Sequence, residues 1–173
     1  MPPDFFPIYY RAKKIKASLR EWKCIMILAL WKKQVFTYEI FPAGTTIDSI
    51  AYLNFLEHRV FPEVTRKKMG RPIILHDNAK PHKNRIVMEF LQDKRWEELE
   101  HPAYSPDMSP PDMHGINLLK APMKGKQFQS QDELIRNYEE RIREINEQHL
   151  SLGITMLPDR WRAIHQGGGI YVN

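Results

Sequence analysis

Two aspartates stand out because each lies in a motif that could place a carboxylate in an active site. Asp77 lies in His-Asp-Asn-Ala-Lys-Pro-His, positions 76–82, directly after a short apolar run. Asp112 ends Tyr-Ser-Pro-Asp-Met-Ser-Pro-Pro-Asp, positions 104–112, with 34 residues between the two acids. Mg²⁺ is usually held by one or two carboxylates together with phosphate oxygens and water. Two such ions can stabilise both the attacking and the leaving oxygen of a phosphoryl displacement.

Each of these residues also has an ordinary structural interpretation. Aspartate is common in turns that follow strands, so Asp77 alone would be read as a turn residue. Asp112 alone would be read as a helix cap after Pro-Pro. Structural or solvent-facing roles are expected for the four nearby histidines, whose spacings fit no standard zinc pattern: His76, His82, His101 and His114.

The elements that must position these residues follow from the hydrophobic patterning. The continuous apolar run over 23–31 predicts a strand buried on both faces, and 34–41 predicts its hairpin partner. A helix is predicted over 47–61, capped by Asp48 or Thr46 and ended or broken by Pro62. Its core-facing residues are expected to be Ile50, Leu53, Leu56 and Val60.

The second half of the chain adds another strand and further helices. A buried strand is predicted over 72–76, with Asp77 at its carboxyl end, followed by a helix over 82–92 with Pro81 at its first position. A weak strand is predicted over 96–99. Ser130 opens a capping-box pattern and the clearest helix, to about residue 148. This order predicts an α/β fold with a mixed sheet, in which ligand sites gather at the carboxyl ends of strands.

Composition limits the classes of protein that fit. The 173 residues carry 26 Lys and Arg against 21 Asp and Glu, a net charge of +5 that favours an anionic partner. The length and the 42% hydrophobic content fit one globular domain. Cys24 is the single cysteine, which excludes an internal disulfide or a multi-cysteine zinc site and suggests a buried residue in a reducing compartment. No apolar run is long enough to span a membrane, and no signal peptide is expected.

Several ordered motifs together resemble the catalytic domain of mariner-family DNA transposases. They are HDNAKPH, then HPAYSPDMSPPD, then LPDRW at 157–161, together with the hairpin sequence KCIMILALWKKQVFTYEIFPAGTTI. The similarity runs from about Lys14 to the C-terminus. It implies a ribonuclease H-like α/β fold, a mixed sheet flanked by helices, and three metal-binding acidic residues of which the second and third are aspartates at this spacing.

By this resemblance, Asp77 and Asp112 are the second and third catalytic carboxylates and would hold Mg²⁺ or Mn²⁺. Asn78, Lys80 and His82 would position the second acid or contact nucleic-acid phosphate. Ser105 belongs to the stiff loop before the third acid and is expected on the same nucleic-acid-binding surface. The partner implied is DNA, with a homodimer as an open alternative, no membrane, and the nucleus as the location.

Two departures from the family pattern matter. No paired helix-turn-helix region precedes Met1, so we expect an N-terminally truncated domain without specific binding to transposon ends. The family's first catalytic aspartate and its motif are not found. Asp4 is the only acid in the right direction, and Pro7 argues against a central strand there. We therefore expect residues 1–22 to be an irregular basic segment, with the first strand missing or degenerate, and the catalytic-type domain to span 23–173.

The sequence thus indicates a fragment of a mariner-type transposase, ancestrally a metal-dependent enzyme for DNA cleavage and strand transfer, and now impaired. Whether the chain is an enzyme stays open, because the first aspartate is not found. One alternative is a non-enzymatic nucleic-acid-binding or dimerisation module. The other is a residual metal-dependent nuclease in which Asp4 or another acid replaces the missing ligand.

Overall fold

A mixed five-stranded sheet organises the fold. The computed structural model describes the backbone of residues 8–16, and residues 22–101, 109, 115–150 and 154–166. The strands are β1 (Ile8–Lys16), β2 (Lys23–Trp31), β3 (Gln34–Pro42), β4 (Ile73–His76) and β5 (Glu97–Leu99), in the order β3-β2-β1-β4-β5. β2 pairs antiparallel with β1 and β3, whereas β4 pairs parallel with β1 and β5. The predicted α/β class with a mixed sheet is confirmed.

The central position in the sheet belongs to β1, which lies inside the segment 1–22 where we expected a missing or degenerate first strand. A strand of nine residues begins there at Ile8, so the first strand is present and the segment is not irregular throughout. Its register with β2 runs from Tyr9↔Leu30 to Lys16↔Lys23, and its first three residues pair with β4. Pairing on both sides satisfies backbone groups that would be costly to bury unpaired.

The first helical segment is longer than predicted. α1 (Ser49–Phe55) continues through a π-helical turn, Leu56–Val60, into α2 (Phe61–Arg66). Pro62 lies in the first turn of α2, directly after the π turn, and the helix continues past it. Asp48 caps α1 as predicted, by accepting a hydrogen bond from Ala51 N at 2.8 Å. The inward placement of Ile50 was wrong, since 61% of this residue is exposed.

Two of the later helices begin and end close to prediction, and two further helices were not predicted with bounds. α3 (Arg85–Asp93) starts after the Asn84 cap, three residues later than expected, because residues 80–83 form a turn. α4 (Ile116–Lys120) runs into a short 3-10 turn, Ala121–Met123. α5 (Gln131–Glu147) confirms the capping-box helix, and α6 (Leu157–Gln166) follows a 3-10 turn at Ile154–Met156.

Two hydrophobic layers enclose the sheet. One face of β2 packs against α5, and the other packs against the segment α1–α2 and α3. Alternate β2 residues serve the two layers, as expected for a strand buried on both faces. The first layer takes Cys24, Met26, Leu28 and Leu30, and the second takes Ile27 and Ala29.

Two expectations from the composition concern the single cysteine and membrane-spanning helices. Cys24 is a fully buried free thiol, as predicted, and burial raises its pKa. Within the described ranges, no helix combines the length and the apolar character that a membrane span requires.

Candidate functional site at the carboxyl end of strand β4

Asp77 follows β4 directly, at the edge of the sheet where the fold class places ligand sites. Its side chain is 33% exposed. Its Oδ1 atom accepts a hydrogen bond from Ala79 N at 3.0 Å, which is the local turn geometry expected of an aspartate after a strand. The same oxygen lies 2.8 Å from His82 Nδ1. The carboxylate is therefore oriented from the protein side while part of it faces solvent.

The turn at residues 80–83 brings His82 back against Asp77. His82 N and Lys83 N both donate to Ala79 O, at 2.9 and 3.3 Å, which closes the turn. The His82 side chain is 5% exposed, and its Nδ1 atom also lies 3.1 Å from the backbone oxygen of Asp77. Its ring stacks on His76 at 4.9 Å, 12° between planes, and lies 4.3 Å from Tyr52. Packing thus fixes the ring that touches the carboxylate.

A buried polar chain lies beneath this pair. The Tyr52 hydroxyl is 3.0 Å from His76 Nδ1, and His76 Nε2 is 2.8 Å from Glu98 Oε1. Lys83 Nζ forms an ion pair with the same Glu98 oxygen. Since an ionised carboxylate only accepts, we assign the His76 proton to Nε2, so that Tyr52 donates to Nδ1. This chain links α1, β4, β5 and the 80–83 turn through four side chains.

The ionisation of this chain follows from its environment. Burial lowers the pKa of His76, against the opposing effect of its hydrogen bond to Glu98, so we assign a neutral ring. The hydrogen bond from His76, with the Lys83 ammonium adding to it, lowers the pKa of Glu98 to about 2. A neutral imidazole between a hydroxyl and a carboxylate holds its two partners without adding charge beneath Asp77.

Asn78 connects the Asp77 turn to the segment that leads towards Asp112. Its Nδ2 atom donates to His101 O at 2.6 Å. His101 is buried and begins the HPAYSPD motif. This contact ties together two segments that the sequence treats as separate motifs.

The predicted site residues divide into three groups. Asp77 and Asn78 lie just before the 80–83 turn, which contains His82 against Asp77 and Lys80 with an exposed side chain. The expectation of structural roles for His76, His82 and His101 agrees with their burial. Asp112 and Ser105, and with them Asp4 and His114, lie outside the described residues.

Sequence reasoning missed Tyr52, Glu98 and Lys83 as parts of the site. Tyr52 carried one available signal, since it occurs three residues before Phe55 at helical spacing and has a hydroxyl that needs a partner when buried. Glu98 and Lys83 carried no signal, because their side chains meet only through the pairing of β5 with β4.

The stretch of β1 beside Asp77 contains no acid. Tyr10 pairs with His76, and continuing that register by one residue brings Arg11 level with Asp77. The whole strand reads Ile-Tyr-Tyr-Arg-Ala-Lys-Lys-Ile-Lys, with four basic residues and no carboxylate. Adjacent parallel strands place level residues about 5 Å apart. The neighbouring strand therefore offers no carboxylate partner at the position closest to Asp77.

The described side chains do not fit a two-ion metal site. Within this part of the chain, no three or more His, Cys, Asp or Glu residues come together as metal ligands. Asp77 supplies one carboxylate, one oxygen of which already contacts His82 and Ala79 N. A pair of hard divalent ions needs several oxygen ligands arranged around both ions.

Comparisons with known proteins agree with the resemblance that the motifs indicate. No family model matches the chain. The Mariner Mos1 transposase of Drosophila mauritiana is 32% identical over 154 residues, which cover 84% of this chain and 44% of that protein. The crystal structure of the catalytic domain of Mos1 mariner transposase superposes with a TM-score of 0.86 at 27% identity, covering 96% of this chain and 83% of that one. The chain carries a mariner-type transposase catalytic domain.

Other relatives place this mariner-type domain in longer proteins. Human Histone-lysine N-methyltransferase SETMAR is 28% identical over 154 residues, covering 86% of this chain and 22% of that protein. The chain thus spans less than half the length of the curated relatives it matches. A Mos1 catalytic-domain structure with raltegravir and Mn has a TM-score of 0.85 at 27% identity, over 96% of this chain and 84% of that one. The ribonuclease H-like fold is confirmed.

Proposed function

We propose that this mariner-type domain binds DNA and that its metal-dependent cleavage of DNA phosphodiesters is absent or strongly reduced. The single observation that carries the proposal is the register of β1 with β4, which sets a basic, acid-free strand beside Asp77. The ancestral activity is DNA cleavage followed by strand transfer. Support for that ancestry comes from the Mos1 transposase relatives.

We expect DNA cleavage to be impaired for two reasons: a carboxylate ligand for the metal is missing, and the charge on the neighbouring strand is unfavourable. A carboxylate on the central strand would help to hold divalent cations and would offset their charge. β1 instead carries Arg11, Lys13, Lys14 and Lys16. Positive charge on the neighbouring strand disfavours a bound dication rather than stabilising it. Two aspartates without a third carboxylate would then bind metal too weakly to support hydrolysis.

DNA is the partner that best fits the chain's chemistry. Its net charge of +5 favours an anionic partner. The chain is also similar to Mos1 in the crystal structure of the Mos1 mariner paired end complex with Mn. The two are 25% identical with a TM-score of 0.85, and the match covers 96% of this chain and 56% of that one. We place the protein's action in the nucleus, where chromosomal DNA lies.

The second candidate function is a residual nuclease, which the exposure and orientation of the Asp77 carboxylate favour. The carboxylate remains partly exposed, and His82 and the turn orient it. If Asp112 or another acid completes the set, one metal ion could still bind. This candidate predicts slow nicking that requires Mg²⁺ or Mn²⁺.

A plasmid-nicking assay with Mg²⁺ or Mn²⁺ separates the two candidates. The parent chain is compared with Asp77→Ala/Asp112→Ala and with Arg11→Asp, which restores an acid level with Asp77. The matched control is Lys13→Asp, which makes the same charge change two residues along β1. Circular dichroism confirms that each variant is folded.

Three outcomes decide the proposal. We expect no metal-dependent nicking by the parent and a gain in Arg11→Asp that Lys13→Asp does not reproduce. Metal-dependent nicking by the parent that disappears in the double variant overturns the proposed impairment and establishes the residual nuclease. No gain in a folded Arg11→Asp variant would show that the acid-free strand is not the limiting defect.

A further inference from the structure

Tyr52 is a buried tyrosine that touches both of the histidines beneath Asp77. Only 1% of Tyr52 is exposed, and the residue lies on α1, outside the motif that contains Asp77. Its hydroxyl is 3.0 Å from His76 Nδ1, and its ring lies 4.3 Å from the ring of His82. One side chain from a distant segment therefore makes a polar contact with the first histidine and a ring contact with the second.

The Tyr52 hydroxyl fixes the His76 ring in one orientation. His76 Nδ1 accepts from Tyr52, and His76 Nε2 donates to Glu98 Oε1 at 2.8 Å. The His76 side chain is 0% exposed, so turning the ring would leave buried nitrogens without these partners. Burying an unpaired polar atom is costly, and the ring is therefore held at both ends.

The His82 ring, which stacks on His76, carries its proton on the opposite nitrogen. His82 Nδ1 lies 3.1 Å from the backbone oxygen of Asp77 and 2.8 Å from Asp77 Oδ1. Because a backbone oxygen only accepts, we assign the His82 proton to Nδ1. The ring that carries this donor packs on His76 at 4.9 Å and on Tyr52 at 4.3 Å. A shift of either neighbour would displace the donor that meets Asp77.

The Asp77 carboxylate is oriented through one of its two oxygens. Oδ1 receives hydrogen bonds from Ala79 N at 3.0 Å and from His82 Nδ1. Two donors on one oxygen fix the plane of the carboxylate and so the direction in which Oδ2 points. Groups that hydrogen-bond a ligand carboxylate orient it, and losing one typically lowers metal affinity or activity about 10- to 100-fold.

We propose that Tyr52 is a positioning residue for Asp77 and acts on the carboxylate through His76 and His82. The side of the site that contains Asp77 is then preorganised, although DNA cleavage is impaired. This inference rests on the proposed function, since it confines the defect to the acid-free strand β1. It assigns a role in the site to a residue of α1 that touches neither metal nor DNA.

The first test observes the contact between His82 and Asp77 by NMR at neutral pH. Tyr52→Phe removes the hydroxyl and keeps the ring. The matched control, Tyr138→Phe, makes the same change in a tyrosine that is also 1% exposed but lies in the other hydrophobic layer. The signals are the ring ¹⁵N resonances of His76 and His82 and the ¹³Cγ resonance of Asp77. A folded variant that is only less stable keeps the parent's signals.

We expect the signals of His76, His82 and Asp77 to move in Tyr52→Phe and to stay at their parent positions in Tyr138→Phe. Movement of the His76 signals alone would show that the effect of the hydroxyl stops before Asp77. That result overturns the inference, and so does equal movement, or no movement, of the Asp77 signal in the two variants.

A second variant covers the case in which Tyr52→Phe does not fold. Glu98→Gln removes the charged acceptor at the other end of the His76 ring, at a side chain that does not contact Asp77 in the described structure. The same Asp77 signal then decides: movement supports a link from His76 to the carboxylate, and a parent-like signal overturns it.

The second test measures how nicking depends on Mn²⁺ in the Arg11→Asp background. Adding Tyr52→Phe should raise the Mn²⁺ concentration for half-maximal nicking about tenfold or more, whereas adding Tyr138→Phe should not. A tyrosine with only a structural role would lower the amount of active protein and leave that concentration unchanged. An unchanged Mn²⁺ dependence in the Tyr52→Phe protein therefore overturns the inference.

The two proposals fail in different ways. If Arg11→Asp produces no nicking, the proposed reason for impairment fails, and the NMR signals of the otherwise unaltered chain decide the role of Tyr52. If Arg11→Asp nicks DNA and Tyr52→Phe changes neither the Asp77 signal nor the Mn²⁺ dependence, the proposed function stands and the positioning role is overturned.

Discussion

His82 Nδ1 lies 2.8 Å from Asp77 Oδ1, and the same imidazole ring stacks on His76 at 4.9 Å. Only 5% of the His82 side chain is exposed, against 33% for Asp77. A buried ring therefore sets the orientation of a partly exposed carboxylate. The Pro81 turn and the β4 strand bring these two residues together, although five positions separate them in sequence.

Replacing His82 by alanine should destabilise the fold even though the residue lies in a turn. The variant loses a hydrogen bond to a charged group and the packing of a buried ring, for a loss of about 2–3 kcal/mol in the free energy of unfolding. Urea denaturation measures it. His58→Ala serves as the control, because the His58 side chain is 70% exposed and should change stability by less than about 0.5 kcal/mol. Equal effects would show that the His82 contacts contribute nothing.

Acidification should weaken the fold through Glu98. Its pKa is about 2 in the folded chain against an ordinary 4.5, so the unfolded chain binds a proton more readily. The resulting stabilisation is fully present above pH 4.5 and is lost as the pH falls through about 2. Its size is on the order of 2–3 kcal/mol.

The variant Glu98→Gln isolates this contribution. It should be less stable than the parent at pH 7, and the two free energies of unfolding should converge between pH 5 and pH 2. Denaturation at a series of pH values gives the difference directly, since other groups titrate in both proteins. A constant difference across this range would contradict the role assigned to Glu98.

Asn146 should act as a substitute strand partner for Val35. Val35 N donates to Asn146 Oδ1 at 2.7 Å, and Asn146 Nδ2 donates to Val35 O at 3.0 Å. Asn146→Ala removes both bonds next to a register shift in the β2–β3 pairing and should cost about 1–3 kcal/mol. Asn146→Asp keeps the acceptor for Val35 N but loses the donor to Val35 O, so it should also leave the backbone of β3 exposed there. Faster hydrogen exchange at Val35 N in Asn146→Ala, but not in the exposed control Asn54→Ala, would support this assignment.

The cap of α5 should contribute about 1 kcal/mol. Glu133 N donates to Ser130 Oγ at 3.1 Å, and Gln129 N donates to Glu133 Oε2 at 2.6 Å. Ser130→Ala should lower the midpoint of thermal unfolding, whereas Ser130→Asp should retain most of the cap. An unchanged midpoint in Ser130→Ala would mean that α5 is held by its buried face alone.

Much of the fold could be predicted because its signals are local. The apolar run of β2, the capping box of α5 and the Asp48 cap each lie within a few residues of the structure they determine. Predictions failed where a distant partner decided the outcome. β1 reads as an irregular basic segment, yet pairing with both β2 and β4 makes it a central strand. The π turn at Leu56–Val60 likewise let the helix continue past Pro62.

The sequence by itself determined the family resemblance, the α/β class and the position of Asp77 at the end of a buried strand. Motif spacing and hydrophobic period are properties of the linear chain, so they can be read without coordinates. Only the tertiary structure decided which groups surround Asp77. It joined Tyr52, His76 and Glu98 into one buried chain and set the basic strand β1 beside the carboxylate. Those contacts depend on strand register and helix packing between distant segments, which no local pattern specifies.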